Sequence, residues 1–168
     1  MHSQLNMSRV FTQTFVVAAA IIERDGKILL VHESQKKHPD NGKWSHPAGW
    51  IDVGENPIDT AVRETKEETG HDFIPKSVIG IYSLVRSDIK KELGATPHAI
   101  KIAFGGDISD LPASKLADDV SETRWFSPEE IYAMDNDALR DVDIKQIVKN
   151  YLAGKVFPLG VITHTIQV

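Results

Sequence analysis

Two apolar segments joined by a tight turn signal constrain the fold more than any other feature of this sequence. Residues 14–34 read TFVVAAAIIERDGKILLVHES, and Asp25-Gly26 between the apolar runs supplies the positive φ angles that a two-residue hairpin needs. The longest apolar runs of the chain are far too short to cross a bilayer as a helix. The pattern therefore predicts two neighbouring antiparallel strands.

The rest of the chain mixes strand and helix signals. This mixture predicts an α/β or α+β fold in which a mixed sheet lies between helical layers. The 168 residues suit one domain, 1–168, in which the polar residues 1–12 are predicted to be a loose leader. The further predicted elements are an extended segment over 44–53, a helix over 57–69, strands over 73–87, 98–109 and 121–126, a capped helix from 127, a final amphipathic helix over 137–155 and an extended tail.

Composition excludes several classes of function. The chain has no cysteine, which excludes disulfides, zinc-thiolate sites and a cysteine nucleophile. A net charge of −5 and a pI near 5.8 do not indicate a surface for nucleic acid or for membranes. No secretory signal is recognisable at the N-terminus, so a cytoplasmic location is the expectation.

The helix predicted over residues 57–69 carries three glutamates at neighbouring positions. At about 100° per residue, Glu64, Glu67 and Glu68 form a stripe that borders the apolar stripe of the helix. Carboxylates beside a core face are partly desolvated and repel each other, and a hard divalent cation such as Mg²⁺ would relieve that repulsion. The other interpretation of such a run is an ordinary solvated face balanced by lysines.

Residues around the glutamates extend the metal hypothesis. The guanidinium of Arg63 can orient the Glu67 carboxylate four residues later, and Glu55 can add an oxygen ligand or pair with Arg63. Gly49 and Gly54 permit unusual backbone angles, which would let a backbone carbonyl oxygen approach the metal.

The segment GWIDVGENPIDTAVRETKEETGH, which begins at Gly49, resembles the motif of the Nudix hydrolases, the MutT-like family. The motif is written G-x5-E-x7-R-E-U-x-E-E-x-G-U, where U is apolar, and the two U positions are occupied here by Thr65 and His71. The segments KWSHPAG before it and ETRWFSPEEI after it also resemble the family. The fixed positions are matched by Gly49, Glu55, Arg63, Glu64, Glu67, Glu68 and Gly70.

This resemblance implies the Nudix fold and hydrolysis of a nucleoside diphosphate linked to another group, with Mg²⁺ or Mn²⁺. It implies that Glu64, Glu67 and Glu68 are metal ligands, helped by the Gly49 carbonyl, and that one glutamate can deprotonate the attacking water. Arg63 would orient the glutamates. Glu55 would be a looser ligand or the partner of Arg63.

The general base lies outside the motif in some family members, and the loop before TRWF offers three candidates. Glu122 is preferred over Asp119 and Asp118, and each of them is otherwise a solvated loop acid.

Two residues near the motif are predicted to bind substrate. Trp50 can stack on a ring, with core packing as the alternative, and His46 can face the site. Trp44 and Trp125 are predicted to lie in the core. The lysines at positions 36, 37 and 43 could meet phosphate, although solvated lysines are the commoner case.

The sequence ranks the substrates only loosely. The proline that is associated with ADP-ribose hydrolysis in this family, about fifteen residues past the motif, is not found here. The C-terminal segment from Leu139 resembles small bacterial Nudix phosphatases of nucleoside di- and triphosphates and thiamine-type pyrophosphates. A small nucleotide or pyrophosphate is therefore the expected partner, with a homodimer left open. The alternatives are hydrolysis of oxidised nucleotides and a nucleotide-sensing Nudix module without catalysis.

Overall fold

The computed structural model describes residues 14–35, 38–90, 94, 96–109 and 115–167. The predicted leader and the lysines at positions 36 and 37 lie outside these residues. The described residues form eight strands and three α-helices. In chain order these are β1 Thr14–Arg24, β2 Lys27–Glu33, β3 Trp44–Ser45, β4 Ala48–Trp50, α1 Pro57–Thr69, β5 Phe73–Val85, β6 His98–Ile108, β7 Val120–Phe126, α2 Pro128–Ala133, α3 Ile144–Leu152 and β8 Phe157–Pro158.

The hairpin predicted around Asp25-Gly26 is confirmed. Strands β1 and β2 pair antiparallel, with φ of 52° at Asp25 and 75° at Gly26. Two successive positive φ angles define the turn whose twist matches that of the flanking strands. The Glu23 carboxylate accepts a hydrogen bond of 2.7 Å from the Gly26 amide and closes the turn.

The strands assemble into a mixed sheet in the order β3-β2-β1-β6-β5-β8, in which β4 also pairs with β1 and β7 with β2. Strands β1 and β6 run parallel, whereas the other pairs are antiparallel. Strands β2 and β4 share one edge of β1, because β4 pairs with residues 17–19 and β2 pairs with residues 23–24. The ends of β2 and β4 therefore meet at an interruption of the sheet.

Helices cover both faces of this sheet, as the sequence predicts. Alternate residues of β1 and β2 point to opposite faces, so Ile21 and Leu30 enter one core while Ile22 and Leu29 enter the other. The first core is completed by residues of α2 and α3, and the second by Ala61 of α1. Within the described residues, no helix is long and apolar enough to span a membrane.

The predicted final helix over 137–155 is wrong in its extent. A short 3-10 turn, Asn136–Ala138, is followed by a non-helical link, and α3 begins only at Ile144. Two carboxylates of the link make ion pairs, Asp141 with Arg86 at 3.1 Å and Asp143 with Lys101 at 2.8 Å. These tertiary contacts outweigh the local preference for a helix. The tail is extended only in part, because residues 159–161 form another 3-10 turn.

Candidate active site

Helix α1 carries the glutamates, and both of its ends are fixed by the residues that the sequence predicts. The side chain of Asn56 accepts a hydrogen bond of 3.0 Å from the Ile58 amide, and Pro57 occupies the first turn. Gly70 ends the helix with φ of 75° and donates its N–H to the Lys66 carbonyl. These caps set which way each glutamate of the helix faces.

The three glutamates border the core at graded depths. The side chain of Glu67 is 52% exposed and that of Glu64 is 15% exposed, whereas Glu68 is buried. Burial raises the pKa of the Glu64 carboxyl, and the nearby Arg63 opposes this effect. Burial also holds the pKa of the Glu68 carboxyl well above its usual range, although the Ala48 amide donates to it at 2.9 Å. The predicted position of the acidic stripe is therefore confirmed.

Gly49 lies directly against the carboxyl group of Glu64. A Cβ atom built on Gly49 would stand 1.9 Å from the Glu64 Cδ atom and 2.0 and 2.3 Å from its two oxygens. The predicted unusual backbone angles hold for Gly54, with φ of 85°, whereas Gly49 has no positive φ. Glycine is therefore required at position 49 for a reason other than its backbone angles. Any side chain there would displace the Glu64 carboxyl.

Arg63 is the organising cation of the site. Its Nε and Nη2 atoms donate to the two Glu55 oxygens at 2.8 and 2.9 Å, and its Nη1 donates to Glu64 at 2.6 Å. The expected bond to Glu67 is long, at 3.5 Å, and Nη2 also donates to the Trp50 carbonyl at 3.2 Å. Of the two roles weighed for Glu55, the partner of Arg63 is the one that the contacts support. The Arg63 guanidinium lowers the pKa of Glu55 to about 2.

Two acids of α1, Glu64 and Glu68, line a cavity of about 340 Å³, which we call the carboxylate cavity, whereas Glu67 is not among its lining residues. Acidic side chains dominate its lining, and the cations Arg63 and Arg140 stand among them. A multiply charged diphosphate needs charge compensation in such a space, which these acids alone do not supply. The acids that line it are Glu33, Asp52, Glu64, Glu68 and Asp119.

A second cavity of about 310 Å³, which we call the aromatic cavity, adjoins the first. The rings of Phe15 and Trp50 stack at its mouth, with centroids 4.6 Å apart and an interplanar angle of 17°. Trp50 is 58% exposed, so most of its surface remains available to a ligand. The two cavities share His38, Ala48, Gly49, Trp50 and Arg140.

The preferred general-base candidate lies away from these cavities. Glu122 is exposed on β7 opposite His32 and lines neither cavity. Asp118 is also exposed, and it pairs with Lys115 at 3.0 Å. Asp119 does line the carboxylate cavity, where its carboxylate accepts from Gln35 Nε2 at 3.2 Å. Asp119 therefore replaces Glu122 as the loop acid with access to the site.

Of the two predicted substrate-binding residues, the structure brings only Trp50 to the cavities. His46 is 2% exposed and lines neither cavity, so the expectation that it faces the site is corrected. Burial, aided by the charge of Lys101, lowers the pKa of His46 to about 3 and keeps the ring neutral. Trp44 packs edge-on against Phe126 at 4.8 Å in the core, as predicted.

The remaining aromatic and lysine predictions have mixed outcomes. Trp125 packs against the core under α1, as predicted. Lys43 donates to Asp40 at 3.2 Å and is engaged within the protein.

Sequence reasoning missed two residues that line the carboxylate cavity, Glu33 and Arg140, whose Nη1 atom donates to Glu33 Oε1 at 2.7 Å. Glu33 is 7% exposed at the end of β2, and an acid that ends an otherwise apolar strand was the available signal. The sequence gives no such signal for Arg140, because this residue falls within the predicted final helix.

The donor set suits a hard divalent cation, which takes carboxylate and carbonyl oxygens. Burial raises the pKa of the Glu64 and Glu68 carboxyls, so a cation bound nearby would stabilise their charged forms. Among the residues that the structure describes, no three acidic or histidine side chains already surround one point. Metal binding would therefore require the Glu64 and Glu67 carboxylates to turn from Arg63 toward a shared ion.

Comparisons with known proteins identify the family of the chain. A family model described as the NUDIX domain matches residues 12–148. An ADP-ribose pyrophosphatase of Methanocaldococcus jannaschii is 32% identical over 158 residues, which cover 90% of this chain and 80% of that protein. Phosphatase NudJ of Escherichia coli strain K12 is 29% identical over 150 residues, covering 88% of this chain and 89% of that protein.

Solved structures give the same result. A NUDIX hydrolase from Nitrosomonas europaea is 33% identical, covers 91% of this chain and 98% of its own, and superposes with a TM-score of 0.79. The family model spans most of the chain, and two relatives exceed 30% identity over nearly all of it. These findings confirm the resemblance read from the motif, and the chain is an enzyme of the Nudix hydrolase family.

Proposed function

We propose that the enzyme hydrolyses a phosphoanhydride bond in a nucleoside di- or triphosphate, or in a related small pyrophosphate such as a thiamine-type one. Mg²⁺ is the proposed cofactor and Mn²⁺ its substitute, held by Glu64, Glu67 and Glu68 with the Gly49 carbonyl. The observation that carries the proposal is the contact of the Glu64 carboxyl with Gly49 beside an acid-lined cavity.

Each residue of the site has a distinct part in the proposed reaction. A bound divalent ion would neutralise the diphosphate and lower the pKa of the attacking water. Arg63 holds Glu55 and Glu64 in place, and Glu67 is the most exposed of the three glutamates. The water attacks one phosphorus atom, its proton passes to Glu67 or Asp119, and the bond to the bridging oxygen breaks.

Two substrate classes have support. The segment from Leu139, which resembles small bacterial Nudix phosphatases, favours small nucleotides and pyrophosphates as the first choice, and one relative is itself named a phosphatase. ADP-ribose is the second candidate, because an ADP-ribose pyrophosphatase is 32% identical over most of the chain. The absence of the proline associated with ADP-ribose hydrolysis argues against this candidate. Oxidised nucleoside triphosphates are a further class for the same assay.

The proposal extends to partners and location. The enzyme would act on a small molecule in the cytoplasm, without a nucleic-acid or membrane partner, consistent with its net charge of −5. A homodimer would leave the assignment of the site unchanged.

A substrate panel tests the proposal. Purified protein is incubated with Mg²⁺ or Mn²⁺ and with nucleotides, oxidised nucleotides, ADP-ribose and thiamine diphosphate, and the release of phosphate and pyrophosphate is measured. We expect Glu67→Gln and Glu68→Gln to reduce turnover about 100-fold or more, whereas Glu122→Gln retains it. Full activity in both glutamine variants would refute the metal assignment. Tight binding without any turnover would favour a sensing role.

A further inference from the structure

We propose that the aromatic cavity binds an amino-substituted heterocycle, with Trp50 against its face and with Arg140 and Asp141 against its polar edge. This inference rests on the proposed function, because the heterocycle would be the group attached to the diphosphate. It adds the chemical class of that group.

Trp50 provides the face. The indole lies at the mouth of the cavity, stacked on Phe15 but 58% exposed. An exposed tryptophan held by a second ring is a preorganised stacking platform, since little rotamer freedom is left to lose on binding. Part of the remaining wall is aliphatic and suits the flat face of a ring, and this part is formed by Val17, Leu84, Ile89, Pro97 and Ala99.

The charged side chains that form the polar edge of the cavity differ in how much of their surface is exposed. Asp40, Arg86 and Lys101 also line the cavity, but their side chains are only 2%, 9% and 5% exposed. Arg140 and Asp141 are more accessible, at 27% and 15%. Among the Asp, Arg and Lys side chains of the lining, Arg140 is therefore the most accessible donor and Asp141 the most accessible acceptor.

An amino-substituted heterocycle presents the complementary pair, a ring nitrogen that accepts next to an exocyclic amine that donates. An Asp carboxylate has spare lone pairs after accepting one bond at each oxygen, and an Arg guanidinium has five N–H donors. A ring with an oxo group and a ring N–H in these positions would set acceptor against acceptor at Asp141.

Buried ion pairs fix the position of this edge. Arg86 donates to both Asp40 oxygens at 2.8 and 3.1 Å and to Asp141 at 3.1 Å. Lys101 donates to the other Asp141 oxygen at 2.8 Å. Burying so many charges requires desolvation that their attraction barely offsets, so such a network is poorly explained by stability alone. Holding Asp141 rigidly toward a ligand is a use that would explain it.

The aromatic cavity is placed so that a bound heterocycle can deliver its diphosphate to the glutamates. Arg140 and Trp50 line both cavities, so a ring stacked on Trp50 would lie next to the cavity that Glu64 and Glu68 line. The volume of about 310 Å³ lies at the lower end of known ligand pockets.

Binding of product-like monophosphates without metal tests this inference separately from turnover. Cytidine and uridine monophosphates form one matched pair, adenosine and inosine monophosphates a second, and ribose 5-phosphate lacks the ring. Affinities are measured by calorimetry. We expect the amino member of at least one pair to bind about 10-fold more tightly than its oxo partner, and ribose 5-phosphate to bind most weakly.

Three variants complete the test. Trp50→Ala should weaken binding of the preferred amino ligand about 10-fold or more, while Tyr132→Ala, an exposed ring outside both cavities, should not. Asp141→Asn should bring the amino-to-oxo ratio close to one. If that variant fails to fold, the Trp50→Ala result and the amino-to-oxo affinity ratio of the wild type still test the inference.

The outcomes separate this inference from the proposed function. Equal affinity for amino and oxo ligands in both pairs, or undiminished binding by Trp50→Ala, would overturn the inference even if pyrophosphates are hydrolysed. Tight, selective binding of the amino ligands without hydrolysis of any diphosphate would uphold it and overturn the proposed function.

Discussion

Replacing Gly49 with alanine should impair the activity of the enzyme far more than its stability. The added Cβ would lie 1.9 to 2.3 Å from three carboxyl atoms of Glu64. Favourable separations between non-bonded heavy atoms are about 3.5 Å, so the carboxyl must retreat by more than about 1 Å. The obstacle is the end of a flexible side chain, so Glu64 should move and the backbone should stay.

The expected magnitudes follow from this displacement. Misplacing a catalytic group by about 1 Å can lower the rate about 100-fold, which corresponds to about 2.7 kcal/mol of activation free energy. The free energy of unfolding should change by less than about 1 kcal/mol, which shifts Tm by no more than about 4 °C in a chain of this size.

The assay compares metal-dependent kcat/KM and Tm for the wild type, Gly49→Ala and Gly160→Ala. Gly160 is the matched control, because an added Cβ there meets no atom within 4 Å. Activity of Gly49→Ala within threefold of the wild type would refute the reasoning about Glu64. If Gly49→Ala instead lowers Tm strongly and loses activity in proportion, the close approach of Gly49 and Glu64 serves stability, and the claim that it serves catalysis is refuted.

Three further predictions concern individual side chains. Arg63→Lys should lower kcat about 10- to 100-fold with little change in Tm, because lysine cannot make the paired bonds to Glu55. Asp88→Asn should cost at most about 1 kcal/mol of unfolding free energy at pH 7, measured by urea titration. Since Arg86 lowers the pKa of Asp88 below 3.8, the difference should persist above that pH and vanish as the pH falls through the folded-state pKa. Asn56→Ala should destabilise the protein by about 1 kcal/mol, measured in the same way, because the first turn of α1 loses its cap.

The features predicted correctly from the sequence are those fixed by neighbours in the chain. The Asp25-Gly26 turn and the caps of α1 depend on residues within a few positions of one another. The spacing of the glutamates along a helix likewise fixes their common face.

The errors come from contacts between distant segments. The loop acid facing the site depends on the pairing of β2 with β7, whose register shifts between His32 and Glu33. Beside this irregularity the Ser34 amide donates to the Asp119 carbonyl at 2.7 Å, which ties Asp119 to the end of β2, and Glu122 is left outside. Local pattern cannot predict such a shift.

The ion-pair network could not be predicted either, because Asp40 and Asp141 lie 46 and 55 positions from Arg86 in the sequence. Local propensity favours a continuous final helix, and only the folded arrangement shows why Asp141 and Asp143 interrupt it.

The most direct test of the account is a measurement of divalent-metal binding that does not depend on turnover. Mn²⁺ is titrated into the wild type, Glu68→Gln and Glu122→Gln, and free Mn²⁺ is followed by electron paramagnetic resonance. We predict that Glu68→Gln weakens Mn²⁺ binding at least about 10-fold while Glu122→Gln binds as the wild type does, with both variants folded by circular dichroism. Unchanged binding by Glu68→Gln would contradict the assignment of the α1 glutamates as the metal site.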